Sequence, residues 1–277
     1  MVLSGLQDRL APLKSWLFPQ RVYLQLEDQA FTAMVLDGDR VAWLEWVPLP
    51  EGLCVNGQPT AVAALGDLLG DLLVERGYAG ARVKAVLPRA ATAWRVIEWP
   101  GAAWPESPEL VVRQQQAELD LPWTLQDADL LLEPLLGDPP RSLLVAVQRE
   151  VLEAWIEVCS QAGVALDGVE ALPICLWRAV SPQLGEGVQL LLQLEDQQSW
   201  LLALDRGQPL GEWPLPPEGE PLAAALCAWA ERYGPSGGVV IGSPTPLEPW
   251  LGCSLIPFEP PAGSAALWGL VAGEQQL

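Results

Sequence analysis

The chain has 277 residues, a mass of 30.0 kDa and a composition that is half hydrophobic, enough to bury a sizeable core and too apolar for a disordered chain. Thirty-five acids against 15 bases give a formal charge of −20. That balance excludes charge-driven binding to nucleic acid or to an anionic membrane surface, and it fits either a basic partner or plain solubility. With no histidine, every His-dependent triad, metal site and general base is removed together.

In chain order, Leu3, Leu6, Leu10, Leu13 and Leu17 recur at helical spacing, interrupted by Pro12, and predict a helix over residues 1–20, a lead-in or a docking element. Residues 21–28, Ala30–Leu36 and Val41–Val47 read as three strands, the last two joined through the turn signal Asp37-Gly38-Asp39. Pro48 to Gln58 reads as loop. Ala61–Arg76 carries Val62, Leu65, Leu68, Leu69, Leu72 and Leu73 on one helical face, with Gly77 closing it, and Ala81–Leu87 is the next strand. A different region follows: strand Arg95–Glu98, helix Glu109–Leu119, strands Asp129–Leu135 and Ser142–Val147. Helix Arg149–Ala162, short strand Gly168–Ala171 and connecting helix Pro173–Val180 complete the first part. Strands Val188–Leu194, Ser199–Leu204 and Leu210–Pro214, a helix over 222–233, strand Gly238–Ile241 and a closing helix Ala265–Ala272 then repeat the earlier order. No run reaches the ~18–20 apolar residues of a membrane span, and no secretory leader pattern opens the chain. Cys54, Cys159, Cys175, Cys227 and Cys253 show no CxxC spacing and read as reduced, mostly buried thiols of a cytosolic protein.

The repetition reaches the residue level. Leu24–Gln29 and Leu192–Gln197 both read LQLEDQ, and Leu36-Asp37 precedes Leu204-Asp205 by the same 168 positions. Glu45-Trp46 and Pro50-Glu51-Gly52 precede Glu212-Trp213 and Pro217-Glu218-Gly219 by 167, which implies one residue lost in the intervening turn. An ordered series of matches points to an ancient duplication, two halves on one plan.

Three meandering strands, a helix and a strand, twice over, resemble the actin/sugar-kinase superfamily, an α/β, ribonuclease H-like duplicated fold. Within it the chain resembles the PilM family, cytoplasmic actin-like proteins of type IV pilus assembly. The resemblance is carried by Leu49-Pro50-Glu51-Gly52 with Val83–Pro88, by Arg95-Val96-Ile97-Glu98-Trp99-Pro100, by Gln116-Ala117-Glu118 with Leu121-Pro122-Trp123, by Ala146–Leu176 and by Leu267–Ala272. It implies a first lobe over 21–180 with an inserted subdomain over about 89–147, and a second lobe over 181–277 that lacks the usual insertion. The chain departs from the family where phosphate would be held. At the family's D-I-G-S, Gln25 stands at the aspartate and Glu27-Asp28 at Gly-Ser; the second half has Gln193, Glu195 and Asp196. A phosphate cradle needs backbone N–H groups that can be closely approached, and carboxylates there repel the ligand. Of the adenosine-contacting double glycine only Gly242-Ser243 remains. The expectation is a degenerate cleft with no catalytic residue, no cofactor and no metal.

The acidic pairs also fit solvated strand ends, a cation bridging the halves or, with least support, an acid/base pair. Trp94, Trp99, Trp104 and Trp123 either line a partner groove or pack the inserted subdomain's own core. The resemblance implies a groove for the cytoplasmic N-terminal tail of a PilN-like inner-membrane protein, with the pilus motor ATPase as a further partner and no nucleic acid or direct membrane span. The expected function is therefore a non-enzymatic cytoplasmic adaptor, peripheral at the inner membrane, in pilus assembly or competence. The rivals are an active actin-like ATPase and a counterpart of the cytoplasmic domain of a type II secretion component, which would continue into a transmembrane helix where this sequence ends at Leu277.

Overall fold

A computed structural model describes residues 20–99, 104–137, 139–194, 198–217, 219–242, 247–261 and 263–275, so the helix expected over 1–20 falls outside the described residues except for Gln20. In chain order the strands and helices are β1 (Arg21–Leu26), β2 (Ala30–Asp37), β3 (Arg40–Pro48), β4 (Cys54–Val55), β5 (Gln58–Pro59), α1 (Val62–Glu75) and β6 (Arg82–Leu87). Then come β7 (Thr92–Glu98), α2 (Pro108–Gln114), β8 (Ala128–Leu135), β9 (Arg141–Gln148), α3 (Arg149–Gln161), β10 (Ala165–Ala171) and α4 (Leu172–Val180). The last part comprises β11 (Val188–Leu194), β12 (Ser199–Asp205), β13 (Gln208–Leu215), α5 (Glu220–Tyr233), β14 (Gly237–Gly242), α6 (Glu248–Leu251), β15 (Leu255–Pro257) and α7 (Ala265–Gln275).

The chain forms two compact units. One takes the described part of Met1–Thr92 with Val147–Ala171; the other takes Ala93–Ala146 with Leu172–Leu277, again as far as described. The inserted segment thus groups with the later sheet, whereas the sequence places it in the earlier lobe.

In the first unit a five-stranded sheet runs β10-β6-β1-β2-β3. The meander β1–β2–β3 is antiparallel, and β6 and β10 add in parallel. Val22, Leu24, Leu26, Ala33 and Val35 point to one side, as a period of two requires, and pack against Leu65, Leu69 and Leu73 of α1 and Val151, Trp155 and Val158 of α3. The apolar stripe of α1 recurs at three- and four-residue spacing, so the whole helix is held by this burial rather than by caps, of which it has none from side chains. Tyr78 N–H closes the helix onto the Leu73 carbonyl and Gly77 N–H onto that of Val74.

In the second unit the sheet order is β13-β12-β11-β14-β15, the same plan. The short β15 is its fifth strand, reached through the short helix α6; sequence periodicity resolves neither, because both are too short for a pattern. Leu190, Leu192, Leu201, Ala203, Leu222 and Leu226 form its core. Helices α4 and α7 approach closely, since a Cβ on Gly269 would lie 1.7 Å from the Cys175 carbonyl oxygen. The inserted segment makes a third sheet, β7-β9-β8, with its own core of Ile97, Trp99, Val112, Leu125, Leu144 and Ala146. Its expected helix Glu109–Leu119 ends at Gln114 and tightens to a 3-10 turn at Gln116–Glu118 before Asp120, which has φ +46°.

One expectation is corrected by strand register. Both meander hairpins pair with the same two-residue loop, Asp37 with Arg40 and Asp205 with Gln208, so no residue is lost in the turn. Both carry their bulge at the same place, between Val35 and Leu36 and between Ala203 and Leu204. Ala33 faces Glu45 while Leu201 faces Trp213, and Thr32 faces Trp46 while Trp200 faces Pro214. The offset of 168 therefore holds along the whole strand, and the two Glu-Trp dipeptides are out of step by one residue. Because side chains alternate, that single step puts Trp46 and Trp213 on opposite faces of equivalent sheets.

Candidate functional site

Strand β1 ends at Leu26, and the acidic pair follows in the turn to β2. Gln25 Nε2 donates to Glu27 Oε1 at 2.6 Å. Asp28 makes a longer-range connection. Its Oδ2 accepts the Asn56 N–H at 2.8 Å and its Oδ1 accepts the Gly57 N–H at 2.7 Å. Asn56 and Gly57 are the loop of the β4–β5 hairpin, both at positive φ, +54° and +77°. Asp28, expected beside a phosphate site where it would repel the ligand, instead gives each carboxylate oxygen to a hairpin N–H. Val55-Asn56-Gly57-Gln58 was legible as a hairpin, because Asn-Gly is the preferred two-residue turn, yet the stretch 48–58 reads as loop when only strand length is weighed.

The hairpin is fixed from other directions as well. Gly57 O accepts the buried Trp155 Nε1–H at 2.9 Å. A Cβ on Gly57 would lie 2.6 Å from Pro88 Cγ and 2.8 Å from Ala91 Cβ, so glycine is required for space as well as for φ. Gln58 Nε2 donates to Glu150 Oε1 at 2.8 Å. The Thr60 hydroxyl donates to the Gly52 carbonyl. The Cys54 thiol is pushed up to about 12, first by burial and then by the charge and hydrogen bonding of Asp28, so it is an inert thiol rather than a nucleophile.

This hairpin forms one wall of a cavity of about 480 Å³. Val55, Asn56 and Gln58 come from the hairpin and Thr60 from the strand's exit. Ala90 and Gln148 stand at the two roots of the inserted segment, and Val151 lies on α3. The polar lining is amide and hydroxyl, groups that both donate and accept, beside three small apolar side chains. Such a surface suits the main chain of an extended peptide. Among the described residues no group of three Cys, Asp or Glu could hold a metal ion.

The other expected residues fall elsewhere. Gln193 is buried on β11, at 7% exposure, beside Ile241 of β14. Gly242 ends β14 at φ +106°, where a Cβ would lie 2.2 Å from the Leu194 carbonyl oxygen; close strand packing is what demands glycine there. Glu195, Asp196 and Ser243 lie outside the described residues. The loop after β1 does not fit a nucleotide's phosphates. A cradle presents N–H donors, whereas this loop presents carboxylate acceptors, one of them already bound to the hairpin amides.

Trp94 and Trp99 are 5% and 2% exposed, which leaves them no side-chain surface for a partner and corrects their placement in a groove. Trp94 Nε1 donates to Glu212 of β13 at 3.2 Å, and Trp99 Nε1 to Ser142 Oγ at 2.6 Å. Trp104 sits 6.2 Å from Trp99, ring to ring, and Trp123 packs on the same core with a buried Nε1 that has no hydrogen-bond partner among the described residues. Arg95 and Arg113 bind the carbonyls of Leu119, Asp120, Leu125 and Ala128, so the segment between the tryptophans is stitched to its own subdomain. The thiols are mostly buried, as expected: Cys54, Cys159 and Cys175 are buried and Cys253 is half-buried, while Cys227 on α5 is exposed.

No protein-family model and no curated protein matches the chain. Solved structures do. A chain of a PilM–PilN type IV pilus biogenesis complex is similar at 18% identity and a TM-score of 0.73, over 92% of this chain and 98% of that one. A Bacteroides thetaiotaomicron protein with an actin-like ATPase fold is similar at 12% identity and 0.59, over 91% and 95%. The cytoplasmic domain of EpsL, an inner-membrane component of the Vibrio cholerae type II secretion system, is similar at 15% identity and 0.53, over 93% and 96%. The chain has the actin-like fold. No described helix is long and apolar enough to cross a membrane.

Proposed function

We propose that the protein is a non-enzymatic adaptor of a type IV pilus assembly machinery, and that it takes the N-terminal tail of a PilN-like inner-membrane protein as an extended peptide. The observation that carries this reading is the likeness to the PilM–PilN chain, which extends over nearly the full length of both proteins. The cavity between the Asn56-Gly57 hairpin and the roots of the inserted segment supports it with a lining suited to peptide main chain. The charge of −20 favours a tail with basic residues. The tail then brings the adaptor to the cytoplasmic face of the membrane, where a pilus motor ATPase is a further candidate partner.

The adaptor works without nucleotide turnover. The Glu27 carboxylate after β1 opposes a polyphosphate, and among the described residues the cavity is lined by amide, hydroxyl and apolar side chains only. The test is a synthetic PilN-like tail peptide from the same genome, titrated into the protein. Saturable binding that weakens on Gln148→Ala and Gln58→Ala supports the reading, and no binding at high micromolar peptide overturns it. A several-degree rise in melting temperature with Mg-ATP, together with measured turnover, overturns the non-enzymatic part. The likeness to the EpsL domain supports a second reading, a role in type II secretion. Binding to the cytoplasmic parts of secretion components in place of the PilN-like tail would select it.

A further inference from the structure

We propose that Asp28 is the positioning residue of the peptide cavity: its carboxylate is a built-in anion that holds the Asn56-Gly57 turn in its binding shape. The inference rests on the adaptor reading above. A two-residue hairpin loop leaves its own N–H groups outside the strand ladder, and two successive amides in a turn make a concavity for an anion. Here both amides point at one carboxylate, one to each oxygen, at 2.8 and 2.7 Å. The anion comes from a residue 28 positions earlier, in the turn after β1, and so ties the end of the central strand to the cavity wall. From the other side the wall is held by Trp155 and has no slack against Pro88 and Ala91. Asn56 and Gln58, the two amide side chains of that wall, therefore take their directions from a turn that Asp28 locks.

Asp28 is not among the residues that line the cavity, so its effect is read through the hairpin. The experiment compares wild type, Asp28→Gly and Asp28→Asn by titration with the PilN-like tail peptide and by hydrogen exchange at the Asn56 and Gly57 amides. The expected result is a roughly ten-fold loss of affinity in Asp28→Gly, the scale of losing hydrogen bonds to a carboxylate, with faster exchange at both amides. Added formate, a free carboxylate small enough for the emptied turn, restores affinity and slows exchange, whereas chloride at equal ionic strength does neither. Restoration by formate is a result that a merely destabilised chain cannot produce. Asp28→Asn keeps the size and loses the charge; it weakens binding with little change in melting temperature, which guards against misfolding of the glycine variant. Wild type that binds while Asp28→Gly binds equally well overturns this inference and leaves the adaptor reading intact. Weakened binding that formate does not restore also overturns it. Wild type that binds no tail peptide overturns both.

Discussion

Strands β3 and β13 close one edge of equivalent sheets, and each carries Glu-Trp. In β3 Glu45 turns toward the helix side, where it accepts Arg76 Nε–H at 2.8 Å and Trp43 Nε1–H at 2.9 Å. Trp46 then turns away and is 61% exposed. In β13 the tryptophan takes the helix side: Trp213 lies 5.6 Å from Trp229 and 5.9 Å from Tyr233, both on α5. Glu212 takes the other side and accepts Trp94 of the inserted segment. The face that the inserted segment touches in the second unit corresponds to the stripe of Leu44 and Trp46 that lies open in the first, at 39% and 61% exposure. After duplication, identical letters one step out of register have come to do opposite jobs, a polar clasp in one half and an aromatic stack in the other.

The comparison can be broken at its base. If the halves share one plan, Leu24→Ala and Leu192→Ala, equivalent core positions on β1 and β11, should each lower stability by about 3–4 kcal/mol in urea unfolding. A loss at one and not the other would dissolve the equivalence. Gly242→Ala comes next. Pairing with the central strand makes Gly242 the counterpart of Leu87, yet a Cβ at Gly242 meets the Leu194 carbonyl, so a loss of about 3 kcal/mol is expected where Leu87 accommodates a full side chain. Third, the shared dipeptide should behave asymmetrically. Trp213→Ala should lose about 2 kcal/mol through the aromatic contacts, and Trp46→Ala less than about 0.5 kcal/mol. Equal losses would contradict the register.

The smallest effect concerns pH. The hydrogen bond from Arg76, then that from Trp43, hold the Glu45 carboxyl below its usual value of 4.5. A depressed carboxyl stabilises the fold above its unfolded pKa, and that contribution disappears as pH falls through the folded value. The stability difference between wild type and Glu45→Gln should therefore be present at neutral pH, shrink below about pH 4.5 and be reduced by salt, as expected for a solvent-exposed pair. A difference that grows on acidification would reverse the assignment. The second unit, with Trp213 at the equivalent place, supplies the built-in control.

The candidate site was partly legible. Asp28 stood out as an acid in a strand-end turn, and Asn-Gly at 56–57 announces a hairpin, but nothing local joins residues 28 and 56. The tryptophans illustrate the opposite difficulty. Trp94, Trp99, Trp104 and Trp123 mark the inserted segment as aromatic-rich, and composition cannot tell a lined groove from a filled core. The cavity residues Gln58, Thr60 and Gln148 carry no pattern of their own, and only their convergence makes them a surface.

The sequence by itself determined the longer strands and helices, though not the short β4, β5, α6 and β15, and the existence of two related halves, because hydrophobic periodicity and turn chemistry are local properties of the chain. Tertiary structure alone decided the register of β3 and β13, the partners of Asp28 and the burial of Trp94 and Trp99. The physical reason is the same in each case. A strand's side chains alternate with a period of two, so one residue of slip exchanges core for solvent, and only cross-strand pairing and long-range hydrogen bonds select between the alternatives.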